Sequence, residues 1–371
     1  MSIETEALVA PRLREPLEFQ TILQEQPRDY EAIVEIHAVG ICHAEVSCME
    51  GKIPVHFPCI LGHEGAGVIV KAGNLVESVK VGDHVVLSYS FCGSCKMCIG
   101  GSPAYCIHNT SLYFGGTRLD GSHSASSPDG KPIFSSFFGQ SSFARAALVH
   151  ESCLVKVEKD IPLELLAPLG CGIQTGAGAI INTLDVQKGD SVVIFGVGAV
   201  GMASIMGARI QQAAIIIAVD IVHGRLELAR DLGATDIIQG PTNALVATVR
   251  EICDGGGAAY AIDTTGRIEI IEQMLDCLQV KGTALSIGSP ARESRVPVNV
   301  FSHIVHGRRY IGCNQGDSVA KKMIPYLVQQ YKNGTLPIDK IVEKYDINDF
   351  QRAMDDMKSG KTIKPVLMWP G

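Results

Sequence analysis

Four cysteines within one short segment have the spacing of a metal site. Cys92, Cys95, Cys98 and Cys106 lie in FCGSCKMCIGGSPAYC, with two, two and seven residues between them. Four thiolates on a loop that contains glycine can complete a tetrahedral zinc shell with no open position. Four unrelated buried cysteines are the alternative, but three cysteines at every third position favour the metal. The spacing therefore predicts a structural zinc site, and any catalytic metal needs other ligands.

Three further potential ligands lie beside glycines where predicted strands end or turn. They are Cys42 in VGICHAE, His63 in LGHEGAG and Cys171 in PLGCGIQTG. Two thiolates and one imidazole suit zinc with a fourth position left open for substrate. Spacing alone cannot join them, because 21 and 108 residues separate successive members. Each one taken singly is more simply explained as a buried structural residue.

A glycine-rich turn has the features of a dinucleotide site. Gly196, Gly198 and Gly201 follow the apolar run SVVIF and open a helical stretch, and Asp220 ends the next predicted strand. A carboxylate there would accept hydrogen bonds from the adenosine ribose and repel a 2′-phosphate, which favours NAD over NADP. Arg225 could serve either ribose or phosphate. The alternative is a structural glycine turn without a nucleotide.

Two kinds of segment must position these residues. EAIVEIHAVGIC, EGAGVIVKAG and VGDHVVLSYS are short runs bounded by glycine or aspartate, which predict an antiparallel or barrel-like β domain. From GDSVVIFGVGAVG onward, the apolar runs SVVIFG, AAIIIAVD, TDIIQG, YAIDTTG and TALSIGSP alternate with helical stretches. Such alternation predicts a parallel, doubly wound sheet. Two more helices and a last strand, KPVLMW, follow Asn314.

Composition narrows the class of protein. A length of 371 residues predicts two domains, and 46% hydrophobic with 19% charged residues is typical of a folded enzyme. A net charge of −7 argues against nucleic acid or an anionic membrane as partner. We find no signal peptide and no membrane span. Twelve cysteines without a signal suggest thiols and metal ligands, and hence the cytoplasm.

Taken together, the motifs resemble the zinc-dependent medium-chain alcohol dehydrogenases over essentially the whole chain. GICHAE, LGHEGAG, the four-cysteine segment, LGCGIQTGAGA and GVGAVG occur in the order of that family. FFGQSSFA, APLGCGIQTGAGA, DTTGR, QGDS and SGKTIKPVL are similar to its aryl- (benzyl-) alcohol branch. The resemblance implies an α/β protein with a GroES-like β domain over 1–174 and 315–371. A Rossmann domain over 175–314 would complete a cleft for zinc and nicotinamide.

The resemblance also implies roles for residues around the second zinc. Cys42, His63 and Cys171 would bind the catalytic zinc, and Glu64 would be a transient ligand or lie just behind it. Glu45 occupies the family's usual aspartate position, where a carboxylate orients the zinc-bound histidine. The implied content is two zinc ions per chain.

A second group of implied residues concerns the cofactor. His43 would face the pyrophosphate, Thr175 the nicotinamide, Arg267 the adenine, and Lys364 a phosphate; solvated surface charge is the alternative for Arg267 and Lys364. The full set is His43, Thr175, Gly196, Gly198, Ala199, Val200, Gly201, Asp220, Arg225, Arg267, Ile287 and Lys364.

The chain departs from the family where a proton relay is expected. Ala44 replaces the usual serine or threonine, and Ser47 replaces a frequent histidine. Alanine cannot pass on a proton. In our preferred interpretation, an ordered water replaces the hydroxyl in an alcohol/aldehyde oxidoreductase. In the alternative, the site reduces a conjugated C=C or C=N bond.

Substrate and partners are less readable from the sequence. Ser88 stands in place of a bulky aromatic residue, which favours a ring-bearing substrate. Leu112, Tyr113 and Phe114 could form an apolar wall of the pocket; ordinary packing is the alternative for these four residues. His56 and Phe57 could line the entrance. An aromatic primary alcohol or aldehyde is expected. TALSIGSP and VPVNV suggest sheet pairing in a homodimer or homotetramer. A non-catalytic protein and a glutathione-linked formaldehyde dehydrogenase are the rivals.

Overall fold

Two units of the chain each build their own sheets in the computed structural model, which describes residues 2–240 and 242–370. The first unit comprises the residues through Cys171, Val319–Val328 and the residues from Ile338 on. The second comprises Gly172–Ser318 and Gln329–Pro337. The expected boundaries after 174 and 314 therefore lie within four residues of the observed ones. The short excursion over Gln329–Pro337 was not expected.

The first unit is built mainly from antiparallel strands. Its strands before Cys171 are β1 Ile3–Ala10, β2 Glu18–Gln24, β3 Glu31–Gly40, β4 Cys59–Ile60, β5 Gly65–Ala72, β6 His84–Leu87, β7 Ala125–Ser126, β8 Pro132–Ile133, β9 Ala146–His150 and β10 Leu154–Val157. Its helices there are α1 His43–Met49, α2 Lys96–Ile99, α3 Asn109–Phe114 and α4 Leu163–Leu166. The apolar run in β3 is buried along most of its length, as expected for a central strand.

The second unit is a parallel sheet with helices between its strands. The strands are β11 Ser191–Phe195, β12 Ile215–Asp220, β13 Asp236–Gln239, β14 Ala258–Asp263, β15 Leu278–Ser286 and β16 Arg309–Gly312. The helices are α5 Gly172–Gly178, α6 Ala199–Ile210, α7 His223–Leu232, α8 Leu245–Ile252, α9 Ile268–Asp276 and α10 Val300–His306. The order β13-β12-β11-β14-β15-β16 is that of a Rossmann fold. The predicted fold class is confirmed.

The last part of the chain returns to the first unit. It contains α11 Ala320–Lys332, β17 Val342–Asp346, α12 Phe350–Ser359 and β18 Lys364–Met368. In the larger sheet of this unit, β18 lies between β3 and β17 in the order β10-β6-β5-β3-β18-β17, and β9 also pairs with β3. The smaller sheet has the order β4-β1-β2-β7-β8. The last strand is thus an interior strand.

The expected edge of the parallel sheet differs from the observed one. The first four residues of TALSIG lie in β15, but β16 pairs with this strand and forms the outer strand instead. VPVNV is not a strand; its last residue, Val300, begins α10. Four residues of β16 are too few, and too mixed in polarity, to show a strand pattern.

The helices in the part of the chain that the structure describes are short compared with a membrane span. No single helix there is both long and apolar enough to cross a bilayer. One broken pair, Leu163–Gly170 with Gly172–Thr183, reaches the required length and composition only when its two helices are counted together.

Candidate metal centres and cofactor site

Three distant segments of the first unit bring together the predicted catalytic ligands. Cys42 follows β3 and caps the N-terminus of α1, His63 lies between β4 and β5, and Cys171 follows a 3₁₀ turn. The ligand atoms of these three residues and of Glu64 all lie within 4.8 Å of one another. His63 Nε2 lies 3.2 Å from Cys171 Sγ. This set of two sulfurs, one imidazole nitrogen and a carboxylate fits zinc.

Glu45 fixes two of these ligands at once. One carboxylate oxygen accepts from His63 Nδ1, and the other accepts from the backbone N–H of Cys42 at 2.9 Å. Because Nδ1 donates to Glu45, the lone pair of Nε2 is presented to the metal position. The extra methylene of glutamate, compared with the family's aspartate, still allows this contact.

The candidate ligands shift one another's pKa values through charge and hydrogen bonds. Burial acts to lower the pKa of His63, but the charges and hydrogen bonds of Glu45 and Cys42 together outweigh it and raise that pKa to about 10. A hydrogen bond with Cys171 holds the pKa of Cys42 well below the usual thiol value and raises that of Cys171 well above it. The Cys42 thiolate is therefore the donor most ready for a cation.

Lys364 is placed at this centre by the structure. Its ammonium lies 2.9 Å from both carboxylate oxygens of Glu64 and donates to the carbonyl of Ile41 at 3.0 Å. The side chain is only 2% exposed, so the alternative of solvated surface charge is wrong. Burial raises the pKa of Glu64 to about 7, opposed by the charge of Lys364. The phosphate contact of Lys364 stays a prediction.

Aromatic rings surround His63. The ring of Phe138 stacks on the imidazole at 4.3 Å and 19°, and Phe137 approaches it edge-on at 5.5 Å. The ring of Tyr113 also stacks on that of Phe138, with 4.4 Å between their centroids. Phe114 meets the Phe138 ring edge-on. The candidate pocket residues Tyr113 and Phe114 thus belong to one aromatic cluster with the histidine ligand.

The sulfurs of the four-cysteine segment also converge and could hold a metal ion. The sulfurs of Cys92, Cys95, Cys98 and Cys106 all lie within 4.8 Å of one another. Cys95 and Cys98 are 3.5 Å apart, and Cys92 and Cys98 3.9 Å. The backbone N–H groups of Cys95 and Cys92 donate to sulfurs of the same group. Four converging sulfurs fit a closed zinc shell.

The glycine fingerprint of the second unit has the geometry of a nucleotide turn. Gly196 has φ of +83°, which favours glycine, and a Cβ on Gly201 would lie 2.0 Å from the Gly196 carbonyl oxygen. Gly198 caps α6, and a Cβ there would meet nothing within 4 Å. Ala199 and Val200 form the first turn of α6. This helix N-terminus can hold an anion.

Asp220 links the turn to the end of β12. Its carboxylate accepts from Val197 N at 2.8 Å and Val222 N at 2.9 Å. Arg225 lies in the first turn of α7, where its buried Nε has no hydrogen-bond partner within the described chain. A carboxylate has about four acceptor positions, so Asp220 keeps capacity for a ribose hydroxyl.

The remaining cofactor candidates are spread over both units. Thr175 is buried in α5, and its hydroxyl lacks a hydrogen-bond partner among the described residues. Ile287 follows β15 and donates its N–H to Asp263. Arg267 pairs with Glu269 and is 56% exposed. His43, Ala44 and Ser47 lie on α1, where His43 is exposed and the other two are half-buried.

The sequence did not point to two residues beside the metal centre. Gln140 bonds to the backbone of His63, and Phe138 stacks on its ring. Both lie in FFGQSSFA, whose resemblance to the aryl-alcohol branch predicts no contact with the metal ligands. The hydroxyl of Ser88, considered for the pocket, donates to the carbonyl of Gly170 at 2.8 Å. A glutamine within a run of small residues between aromatic residues was the available signal.

Comparison with known proteins decides the family. The model of an alcohol dehydrogenase GroES-like domain matches residues 28–159, and that of a zinc-binding dehydrogenase matches residues 199–331. Together these matches cover more than half of the chain. The chain belongs to the zinc-dependent alcohol dehydrogenase family. It is therefore an oxidoreductase, and the non-catalytic rival is not supported.

Individual alcohol dehydrogenases are similar along the whole chain. Geraniol dehydrogenase of Castellaniella defragrans is 36% identical, over 99% of this chain and 98% of its own length. Benzyl alcohol dehydrogenase of Acinetobacter calcoaceticus is 41% identical with a TM-score of 0.95, over 99% and 100% of the two chains. An alcohol dehydrogenase zinc-binding domain protein of Burkholderia ambifaria is 42% identical, with a TM-score of 0.98 over the full length of both.

Proposed function

We propose that this alcohol dehydrogenase interconverts an aromatic primary alcohol and its aldehyde, with NAD as hydride acceptor and two zinc ions per chain. The observation that carries the proposal is the cluster of Cys42, His63 and Cys171 against an aromatic wall. The likeness to the Acinetobacter benzyl alcohol dehydrogenase supports the substrate class. The likeness to geraniol dehydrogenase makes an allylic primary alcohol the natural second substrate to try.

The residues divide the work as follows. Cys42, His63 and Cys171 would hold a zinc ion, which when bound supplies a Lewis acid for the alcohol or aldehyde oxygen. Glu45 keeps Nδ1 of His63 protonated and Nε2 directed to the metal position. Phe137 and Phe138 cover the imidazole and exclude water from it. Excluding water strengthens electrostatic interactions inside the site.

The cofactor preference rests on Asp220. Its carboxylate lies at the end of β12 next to the fingerprint turn and would repel a 2′-phosphate while accepting from ribose hydroxyls. We therefore propose NAD as the working cofactor. Twelve cysteines, six of them in the two candidate metal centres, suit a reducing compartment such as the cytoplasm.

A homo-oligomer is proposed from the edge of the second unit. Val300, Phe301, Ile304 and Val305 are exposed apolar residues on α10, which directly precedes the outer strand β16. Large apolar patches of this kind mark protein–protein contacts. A second copy of the chain is the proposed partner for this surface, in a dimer or a tetramer of dimers.

A steady-state assay that follows NADH absorbance tests the proposed function. Protein with measured zinc content would be given benzyl alcohol with NAD, benzaldehyde with NADH, and geraniol with NAD; NADP replaces NAD as the cofactor control. We expect turnover of the aryl pair with NAD in excess of NADP. No turnover by protein that holds two zinc ions would contradict the proposal and favour a conjugated C=C or C=N substrate.

A further inference from the structure

The turn over Phe137–Ser141 holds an unfavourable backbone conformation next to the metal centre. Phe138, Gly139 and Ser141 have φ of +52°, +78° and +48°. For a bulky residue such as phenylalanine, a positive φ is unfavourable and persists only where the surroundings enforce it. Here the surroundings include the imidazole of His63, on which the Phe138 ring lies.

Gln140, within this turn, is bonded entirely to main-chain groups. Its Nε2 donates to the carbonyl oxygens of His63 at 2.9 Å and Ser88 at 3.0 Å. Its Oε1 accepts from the N–H of Gly65 at 3.2 Å. Two carbonyl oxygens can be bonded only by the amide NH₂, so the partners themselves fix the orientation of the side chain. The side chain is buried, with 1% of the residue exposed.

Ser88 continues this connection to another ligand. Its hydroxyl donates to the carbonyl of Gly170 at 2.8 Å, and Gly170 directly precedes Cys171. One chain of hydrogen bonds therefore runs from the backbone of His63 through Gln140 and Ser88 to the residue before Cys171. It joins two ligands that are 108 residues apart in sequence.

We propose that Gln140 is a positioning residue of the metal centre, which fixes His63 relative to Cys171 through Ser88. The inference rests on the proposed function only in that Cys42, His63 and Cys171 hold a metal ion. Groups that orient metal ligands from outside the shell affect metal affinity by about 10–100-fold. Loss of the two amide donors therefore loosens the geometry of this centre and leaves the four-cysteine centre unchanged.

Gln140→Glu tests this in the zinc-loaded protein, because glutamate has the same shape but loses the NH₂ donors. Zinc release to a chromogenic chelator is followed with time, and the Co²⁺-substituted protein is examined by absorption spectroscopy. We expect release from the Cys42–His63–Cys171 centre to become about tenfold faster or more, with a shifted Co²⁺–thiolate band. The release phase of the four-cysteine centre stays the same and serves as an internal control.

Gln24→Glu is the matched control. Gln24 is also buried and donates Nε2 to a main-chain carbonyl, that of Ser124 at 2.6 Å, in the same unit and outside the metal-ligand groups. Both variants are expected to lower the thermal midpoint, but only Gln140→Glu changes zinc release. Equal release rates in Gln140→Glu and wild type, with a lowered midpoint, would show a merely structural role and overturn the proposal.

Ser88 variants test the second half of the connection. Ser88→Ala removes the donor to Gly170 and should also speed zinc release, whereas Ser88→Thr keeps a hydroxyl and should restore the wild-type rate. Should Gln140→Glu not fold, the uncharged Gln140→Met replaces it in the same comparison. Wild-type protein with zinc only in the four-cysteine centre would contradict the proposed function itself, and the positioning role with it.

Discussion

Ala44 stands where the family usually carries a hydroxyl that relays the proton of the alcohol. The residue is half-buried on α1, two positions after the ligand Cys42. Ser47, one turn further, keeps a hydroxyl, so a single added group at position 44 could complete a path. The alcohol proton otherwise has to leave through water.

Ala44→Ser is expected to raise the turnover number for benzyl alcohol oxidation. Positioned proton transfer contributes about 10²–10⁴-fold in enzymes, and a gain of about tenfold would represent partial recovery. The measurement is kcat as a function of pH at several buffer concentrations. The dependence of kcat on buffer concentration should weaken in the variant. Ala44→Gly, which also lacks a hydroxyl, should show no gain; an equal gain in both variants would point to flexibility of α1 instead.

Tyr113 presents a different case at the residue scale, a buried hydroxyl without a hydrogen-bond partner within the described chain. Burial raises its pKa well above the usual phenol value. An unpaired buried polar group costs about 1–3 kcal/mol, so Tyr113→Phe should leave the thermal midpoint unchanged or raise it.

Tyr345→Phe is the control for that prediction. The Tyr345 hydroxyl bonds to Asp356 at 2.9 Å and Thr362 at 2.7 Å, and its loss should lower the midpoint. If Tyr113→Phe lowers the midpoint as much as Tyr345→Phe does, a water molecule or another group satisfies the Tyr113 hydroxyl.

At the scale of elements, the turn over Phe137–Ser141 beside the metal centre leaves no room for a larger residue at Gly139. A Cβ on Gly139 would lie 2.5 Å from Ser90 Cβ and 2.9 Å from Cys153 Sγ. Gly139→Ala therefore adds overpacking of about 1–3 kcal/mol to the cost of a positive φ. We expect a large fall in thermal midpoint together with faster zinc release.

Gly121→Ala separates the two costs. Gly121 has a similar φ of +82°, but a Cβ there would meet nothing within 4 Å. It should show only the backbone cost of about 1 kcal/mol. Equal losses in the two variants would mean that the neighbours of Gly139 move aside.

Elements with strong patterns could be predicted from the sequence, and those without could not. The runs SVVIF and IIIAVD form β11 and β12 as expected, because buried parallel strands are apolar throughout. β17, with the sequence VEKYD, was missed because three of its five residues are exposed and polar. Its pairing with β18 depends on a partner and not on a pattern of its own.

The site shows the same division. The convergence of the four cysteine sulfurs could be predicted from local spacing, and that of Cys42, His63 and Cys171 only with the family resemblance. Gln140 could not be found, since its partners are main-chain groups 52, 75 and 77 residues away. Main-chain groups are the same at every residue, so nothing in those distant segments signals a glutamine.

At the scale of the whole molecule, assembly should depend on α10. Phe301→Glu places a charge on the proposed contact, where phenylalanine is 76% exposed, and should convert the oligomer to monomers. Sedimentation velocity measures the change. Val81→Glu is the control, because Val81 is also an exposed apolar residue, at 63%, but lies in the first unit. Dissociation by Val81→Glu instead would place the contact on the first unit.

The position of β18 has a consequence for how the chain is made. β18 pairs with both β3 and β17, and its first residue, Lys364, neutralises the buried carboxylate of Glu64. Synthesis reaches residue 171 long before residue 364, whereas most of the parallel sheet is encoded without interruption. The segment that holds His63 and Glu64 is therefore translated early, and Glu64 gains its Lys364 partner only after 300 further residues. The parallel sheet of the second unit can be folded on the ribosome while the first unit is still incomplete.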